Sequence, residues 1–318
     1  MRLLPVLLLA VSGLCIAQEY PSKNVTIIVP YPAGGPTDQL ARLLATRFGD
    51  KLGHSFIVEN VSGGGTTIGT GRVARAAPDG HTLLLHNLQI AANVALYPQL
   101  PYDTERDLAA VAFVNRNPLV LVGRKALAPQ TLAELVAYMK STTLSMAHPG
   151  SGSSGHLATA LFAQQAKVTP VQVPYRGGAP MVQDLLGDHV DLLFGTPQQL
   201  APLVAAGRIK AYGVTAKDAY PQFPGAAAMA NELGAQLEIY YWHALFAPAA
   251  TPPAVIAKLN AVVQGVLEDA ALMKSWADTG VTPYPPPERT PQAAQALLKS
   301  EIARWGEVVR QNRIQPVD

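Results

Sequence analysis

Three loops of the sequence combine glycines with hydroxyl or aromatic side chains, and each follows a short apolar run and precedes a helix-like segment. They are residues 31–38 (YPAGGPTD), 62–69 (SGGGTTIG) and 148–156 (HPGSGSSGH). Glycines let a ligand approach the backbone closely, and the amide groups at the start of a helix attract anions. One such loop is equally typical of a tight turn. Three of them predict a cleft that is lined with amide and hydroxyl donors and binds an anion.

The distribution of charge along the chain also favours an anionic ligand. No Asp or Glu occurs between Glu59 and Asp79 or between Glu134 and Asp184, and these stretches carry the second and third loops. Arg176 lies in the second stretch, directly after an apolar run. Its guanidinium offers a bidentate fork to a carboxylate, although a solvated surface arginine is an equal alternative.

The residue patterns of common enzymes and metal sites are missing from the sequence. There is no G-x-S-x-G nucleophile elbow and no Walker-type run. Residues 150–155 match G-x-G-x-x-G, but the acid that holds a ribose about 20 residues later is absent. The seven histidines form no compact pair of metal ligands, and we expect most of them in loops or at edges. The sequence predicts no catalytic residue, metal or cofactor; a hydrolase using Ser153 or Ser154, with His148 or His156 as base, is the enzyme alternative.

Composition excludes further classes of protein. The 318 residues carry 24 Lys plus Arg against 22 Asp plus Glu, and the net charge of +2 provides no sustained field for nucleic acid or anionic lipid. The single cysteine, Cys15, cannot form an intramolecular disulfide or a thiolate metal site. The length exceeds what one hydrophobic core usually supports, so we expect two lobes.

Residues 1–17 are expected to be a secretory signal peptide. A basic residue precedes a short apolar run, and the small residues Cys15 and Ala17 fit a cleavage after Ala17. This predicts export and a mature chain without cysteine. A membrane anchor is the alternative, but the run contains Pro5 and is shorter than the roughly 20 residues that span a bilayer. A lipid anchor needs a small residue before Cys15, where the chain has Leu14.

Short apolar runs alternate with helix-period segments between these loops, which is typical of strand–helix units and a mostly parallel sheet. Strands are predicted at residues 25–29, 55–59, 82–85, 118–122, 144–147, 171–174, 190–194 and 209–214. The first runs do not alternate polar with apolar residues, which predicts burial on both faces. An aromatic strand is predicted at residues 239–242, where the chain returns to its first half. We therefore expect an α/β fold of two doubly wound lobes, residues 18–117 plus 241–318 and residues 118–240, with a ligand cleft between them.

Seven short motifs, in order and spacing, resemble those of a known family. They are YPAGGPTD (31–38), VEN followed by a glycine cluster (58–65), PDGHTLL (78–84), LPYD (100–103), GHLA (155–158), VPYRGGAP (173–180) and APAATP (247–252). Together they resemble the extracytoplasmic solute receptors of tripartite tricarboxylate transporters, called Bug receptors. The resemblance implies a periplasmic binding protein of the hinged, type II-like fold, which captures an organic acid and delivers it to a membrane permease.

The resemblance also implies a division of the binding site between the lobes. Family members hold a ligand carboxylate on the first two glycine loops, which here supply Tyr31, Gly34, Gly35, Gly64, Gly65 and Thr66. Loops of the second lobe select the ligand, and this side comprises Ser151, Ser153, Ser154, Arg176 and Thr196, with Asn87 at the end of the third strand. The chain departs from the family at Thr66, where a glycine is common, and at His148 and Pro149, where a small or polar pair is usual.

The expected ligand is a dicarboxylate or an aromatic acid such as terephthalate. Tyr31 offers a ring face at the mouth of the cleft for an aromatic acid, and an aliphatic diacid is an equal alternative. We expect a monomer that binds no nucleic acid and closes about its hinge when it captures the acid. A sensory accessory protein that presents its ligand to a signalling partner would have the same sequence features, and it stays open as an alternative to transport.

Overall fold

The structure is a computed structural model that describes residues 19–315. The predicted signal peptide and Cys15 lie outside the described residues. The strands are β1 (Val25–Val29), β2 (Phe56–Asn60), β3 (Thr82–Asn87), β4 (Leu108–Pro118), β5 (Val120–Arg124), β6 (Ser145–His148), β7 (Val171–Pro174), β8 (Leu192–Gly195), β9 (Ile209–Val214), β10 (Ala227–Ala228), β11 (Tyr240–Pro248) and β12 (Thr282–Pro283). The helices are α1 (Pro36–Leu52), α2 (Thr67–Ala74), α3 (Gln89–Leu96), α4 (Leu132–Met139), α5 (Ser154–Ala166), α6 (Gly178–Leu186), α7 (Pro197–Ala205), α8 (Met229–Glu232), α9 (Pro253–Val266), α10 (Ala270–Thr279) and α11 (Pro291–Gln311).

The strands form two six-stranded sheets. The first has the order β12-β4-β11-β3-β1-β2, and the second has the order β10-β9-β5-β8-β6-β7. Strands β1, β2 and β3 run parallel to one another, as do β6, β7 and β8. The first strand after each passage of the chain from one sheet to the other is antiparallel to both of its neighbours. These strands are β11, between β3 and β4, and β5, between β8 and β9. The predicted α/β fold with two lobes is confirmed.

Helices cover both faces of the first sheet. Ile27 belongs to an apolar core with residues of α1 and α9, and its neighbour Ile28 belongs to a second core with residues of α3 and α11. The predicted burial on both faces therefore holds for β1 and β3. It is wrong for β2, where Ile57 is 50% exposed, because β2 lies at the edge of the sheet. None of the helices within residues 19–315 combines the length and apolar character needed to cross a membrane.

Two crossings connect the sheets, and Thr215 joins them. Leu119 lies between β4 and β5, and its backbone N–H donates to Thr215 Oγ1 at 2.8 Å. Thr215 N–H donates back to Leu119 O at 2.8 Å, while Thr215 Oγ1 donates to Ile239 O at 2.6 Å, just before β11. Thr215 is fully buried. The two crossings are thus held side by side next to the space between the sheets.

Candidate functional site

A cavity of about 130 Å³ lies between elements of the two sheets. This is comparable with the roughly 150 Å³ of an engineered cavity that holds benzene, so it has room for a small organic molecule. It is lined by Tyr31, Pro32, Ala33, Gly35, Pro36, Thr37, Asn87, Gln89, Leu119, Pro149, Ser153, Ser154, Gly155, Arg176, Gly177, Gly178, Ala179, Pro180, Met181, Phe194, Gly195, Thr196, Gln199 and Tyr241.

Four helices begin at the cavity wall. Gly35, Gly177 and Thr196 are the N-caps of α1, α6 and α7, and none of these three helix starts has a side-chain capping hydrogen bond. In α5, the N-cap Ser153 accepts a hydrogen bond from His156 N–H at 3.3 Å. The first N–H groups of a helix have no acceptor within the helix, and the helix dipole places partial positive charge at this end. The cavity is therefore surrounded by donors that favour an anion.

Arg176 is the one charged residue among the cavity-lining residues of the described chain. It is exposed, and within residues 19–315 it forms no hydrogen bond or ion pair. A guanidinium with unused donors at a cavity wall can bind a carboxylate in a bidentate fashion. Since no Asp or Glu lines the cavity within the described chain, nothing there opposes a negatively charged ligand.

Asp38, the acid at the end of the first loop, stabilises that loop. Its carboxylate accepts hydrogen bonds from Gly34 N–H at 2.9 Å, from Asn60 Nδ2 at 3.0 Å and from Arg42, whose Nε and Nη2 each donate at 3.0 Å. Burial on its own raises the pKa of Asp38, but these hydrogen bonds outweigh it and hold the pKa below its usual value. The negative charge is therefore compensated by Arg42, and the loop geometry at Gly34 is fixed.

A buried network of neutral side chains underlies the first-lobe side of the cavity. Asn87 Nδ2 donates to Tyr241 Oη at 3.0 Å, and Tyr241 Oη lies 3.1 Å from Thr37 Oγ1. Thr37 Oγ1 in turn lies 3.2 Å from His243 Nε2, and His243 Nδ1 lies 2.8 Å from Asn115 Oδ1. Because an amide oxygen can only accept, the network assigns the imidazole proton to Nδ1, and Thr37 donates to Nε2. Burial lowers the pKa of His243 to about 3, so the network carries no charge at neutral pH.

A second buried histidine lies beside it. His86 Nδ1 lies 2.8 Å from Asn87 N and 3.0 Å from Asn87 O, and His86 Nε2 lies 3.1 Å from Thr66 Oγ1. Burial lowers the pKa of His86 to about 3. The ring of Tyr31, which lines the cavity, meets His86 edge-on with centroids 5.4 Å apart. The second glycine loop therefore contacts the cavity only indirectly, since Thr66 supports His86 and His86 supports Tyr31.

A family model described as the tripartite tricarboxylate transporter family receptor matches residues 40–314. The chain belongs to this family. The structure of the periplasmic binding protein BugD is similar, with a TM-score of 0.87 and 32% identity over 94% of this chain and 100% of that one. MatC from Rhodopseudomonas palustris, solved with bound malate, gives 0.85 and 36% over 91% and 100%. Another R. palustris protein, solved with adipate, gives 0.86 and 32% over 94% and 100%. The predicted membership of the Bug receptor family is confirmed.

Seven of the twelve residues assigned to the site of this receptor from its sequence line the cavity. They are Tyr31, Gly35, Asn87, Ser153, Ser154, Arg176 and Thr196. The other five are not in the lining, and they are Gly34, Gly64, Gly65, Thr66 and Ser151. Each of these five has a structural neighbour instead: Gly34 N–H binds Asp38, Thr66 binds His86, and the carbonyls of Gly65 and Ser151 accept hydrogen bonds from Gln89. Gly64 begins the short 3-10 turn Gly64–Thr66.

Sequence reasoning missed other polar residues of the receptor's cavity. Thr37 and Gln199 lie in the first turns of α1 and α7, and Gln89 is the first residue of α3. The rule that ligands meet the first helical turn after a strand could have identified them. Tyr241 belongs to the predicted crossing strand, but only the pairing of β11 beside β3 brings it to the cavity.

The expectation that most histidines lie in loops or at edges is wrong. His86, His148, His156 and His243 lie in β3, β6, α5 and β11, and each is at most 3% exposed. At least one ring nitrogen of each forms a hydrogen bond, to Thr66, Gly150 and Gly152 in loops or turns and to Asn115 in β4, and these bonds offset part of the cost of burying an imidazole.

Proposed function

We propose that the chain is a periplasmic solute-binding receptor that captures a small organic carboxylate between its two lobes and delivers it to the permease of a tripartite tricarboxylate-type transporter. The observation that carries this proposal is the convergence of four helix N-termini and the unpaired Arg176 on one cavity whose described lining contains no acid. Family membership supports it, and so do the malate and adipate in two similar structures, because both are carboxylates.

Backbone amides supply much of the proposed anion binding. One carboxylate lies against the first turn of α1, near Gly35 and Thr37, and each favourable helix end contributes about 0.3 to 1 kcal/mol. Amide donors satisfy the anion without burying a full countercharge, which avoids a large desolvation cost. Arg176 then receives a second carboxylate at the other lobe. Leu119, Phe194 and Pro149 offer apolar surface to the body of the ligand between the two ends.

The proposed ligands are dicarboxylates and aromatic acids such as terephthalate. A dicarboxylate, terephthalate included, joins two carboxylates by an apolar spacer, and the cavity offers anion donors at α1 and at Arg176 together with apolar wall residues. Tyr31 and Phe194 add ring surfaces for an aromatic spacer. A ligand that contacts both lobes stabilises their closed arrangement about the crossings joined at Thr215, and the permease then recognises the closed receptor.

The proposal includes export, with residues 1–17 as a cleaved signal peptide, and a monomeric receptor that catalyses no reaction. The hydrogen bonds of Ser153 argue against a nucleophile at that position. Its Oγ donates to Gly150 O at 2.6 Å and accepts His156 N–H, so its proton is directed to a carbonyl. A nucleophilic serine instead donates to a general base such as an imidazole nitrogen.

A thermal-shift screen of residues 18–318 tests the proposed function. The panel contains mono-, di- and tricarboxylates, terephthalate, and the matched pair succinate and aspartate. A ligand at 100 times its Kd stabilises the folded state by about 2.7 kcal/mol, so a true ligand raises Tm. Succinate is expected to bind more tightly than aspartate, since no acid in the described lining pairs with an ammonium group. Absence of any shift, together with ester turnover that Ser153→Ala abolishes, would overturn the proposal in favour of the hydrolase.

A further inference from the structure

The loop at residues 150–153, which follows β6 in the second sheet, contacts α3 of the first lobe. Gln89 Nε2, in the first turn of α3, donates to Ser151 O at 2.8 Å. The same nitrogen lies 3.3 Å from Gly65 O, in the second glycine loop of the first lobe. One amide group therefore joins loops that belong to different lobes. Gln89 also lines the cavity, whereas its two acceptor residues, Ser151 and Gly65, do not.

Gly152 lets the two lobes approach closely at this point. Its φ is +72°, and a Cβ atom there would lie 2.8 Å from Leu96 Cδ1, 3.1 Å from Asn93 Oδ1 and 3.3 Å from Gln89 Nε2. All three neighbours belong to α3. Any larger residue at position 152 would thus push the loop away from α3. Gly152, Asn93 and Leu96 do not line the cavity, so the packing of Gly152 against Asn93 and Leu96 lies outside the ligand-facing wall.

Each side of this contact is fixed by hydrogen bonds within its own lobe. On the second-lobe side, Gly152 N–H donates to His156 Nδ1 at 3.1 Å, and His148 Nδ1 lies 3.1 Å from Gly150 O. The two imidazoles stack with centroids 4.8 Å apart. On the first-lobe side, Asn93 Nδ2 donates to Gly65 O at 2.8 Å. The contact therefore joins two preformed surfaces, and separating the lobes breaks it as a unit.

We propose that the contact of Gln89 and Gly152 across the lobes, here termed the closure latch, stabilises the closed receptor independently of the ligand. The latch forms only when the lobes close, because its halves belong to different lobes. It therefore sustains a closed population without ligand and raises the affinity for every ligand by the same factor. The apparent Kd is the intrinsic Kd divided by the fraction of binding-competent protein. Gly152 is thus an affinity-determining position that does not touch the ligand.

Distances between spin labels on the two lobes test the latch without any ligand. The chain has no cysteine after Cys15, so Lys51→Cys and Lys140→Cys give two specific labels, one in each lobe. We expect the unliganded protein to show a closed population that Gly152→Ala and Gln89→Ala both deplete. Gly207→Ala is the matched control, because Gly207 has a φ of +62° in the same lobe and a Cβ atom added there would meet no other atom within 4 Å. It is expected to leave the distance distribution unchanged.

Ligand affinity is a second test of the latch. It rests on the proposed function, whereas the distance measurement does not. Gly152→Ala is expected to weaken binding of every acid that the receptor binds by the same factor, roughly 10-fold if the closed fraction falls that far. A wild-type protein with no closed population, or variants with the wild-type distribution, would overturn the latch even if acids bind. If no acid binds but both variants open the protein, the proposed ligand class fails and the latch stands.

Discussion

Thr37 Oγ1 donates a hydrogen bond to His243 Nε2 over 3.2 Å, and this bond fixes the first turn of α1 against β11. The two residues are 206 positions apart in the sequence, and both are at most 2% exposed. Because α1 begins at the cavity and β11 follows the second crossing, the bond connects the proposed anion site to the segment about which the lobes would move. A buried polar pair of this kind orients the helix start more specifically than apolar packing does.

Substitution Thr37→Val tests how much this hydrogen bond contributes to the stability of the fold. Valine keeps the shape of threonine but leaves His243 Nε2 without a partner in the interior, and it removes one of the two hydrogen bonds of the Asn87 side-chain amide group. The free energy of unfolding is expected to fall by about 1 to 3 kcal/mol, the usual cost of an unsatisfied buried group. Urea denaturation measures it. Thr46→Val on the exposed face of the same helix is the control, and an equal loss in both variants would contradict the assignment.

The stability of the receptor is expected to rise with pH up to about 6.5. His86 and His243 have their pKa lowered from 6.5 to about 3 by burial, so between these values the unfolded chain binds more protons than the folded one. Stability increases with pH wherever the unfolded state binds more protons, and it levels off above the unfolded pKa. The lowered pKa values of His148 and His156 act in the same direction.

Denaturation curves at several pH values, compared with those of His243→Gln, check this dependence. Removing one such group is expected to reduce the slope of unfolding free energy between about pH 4 and 6 by up to about 1.4 kcal/mol per pH unit. His189→Gln, at a side chain that is 72% exposed, controls for the replacement of a histidine by glutamine outside the core. An unchanged slope in His243→Gln would mean that this imidazole is already protonated in the folded protein.

The loops at the ends of parallel strands could be predicted from the sequence, because local glycine and helix-start signals mark them. Gly35, Ser153 and Arg176 reach the cavity for this reason. The second glycine loop has the same local signals, yet α3 lies over it and its Gly65 carbonyl accepts hydrogen bonds from Gln89 and Asn93. Local sequence does not reveal which of two similar loops another helix covers.

Long-range pairing accounts for most of what the sequence did not predict. Strand β4 was not predicted, because its apolar run ends in the polar residues Asn115, Arg116 and Asn117, and only the pairing with β11 shows that these residues continue the strand. Tyr241 and His243 reach the site because β11 inserts between β3 and β4, with His243 opposite Asn87. The burial of Tyr241 and His243 depends on this register, which the local sequence does not show. For this reason His243 resembled a loop residue in the sequence.

Arg176 is expected to bind the second anionic group of a diacid. Its guanidinium lies at the cavity wall, and within the described residues it has no internal partner to lose when a carboxylate arrives. Replacement by glutamine, Arg176→Gln, retains a polar side chain but removes the charge and the bidentate fork. The affinity for the preferred diacid is expected to fall by about 1 to 3 kcal/mol, as for other hydrogen bonds to charged groups.

Isothermal titration with the preferred diacid, and with a monoacid of similar length, distinguishes this role from a general electrostatic effect. The monoacid should lose much less affinity than the diacid, because it has no group opposite Arg176. Arg208→Gln is the matched control, since Arg208 is an exposed arginine of the same lobe outside the cavity lining. Unchanged diacid affinity in Arg176→Gln would exclude Arg176 from the site and leave the helix N-termini as the sole anion donors.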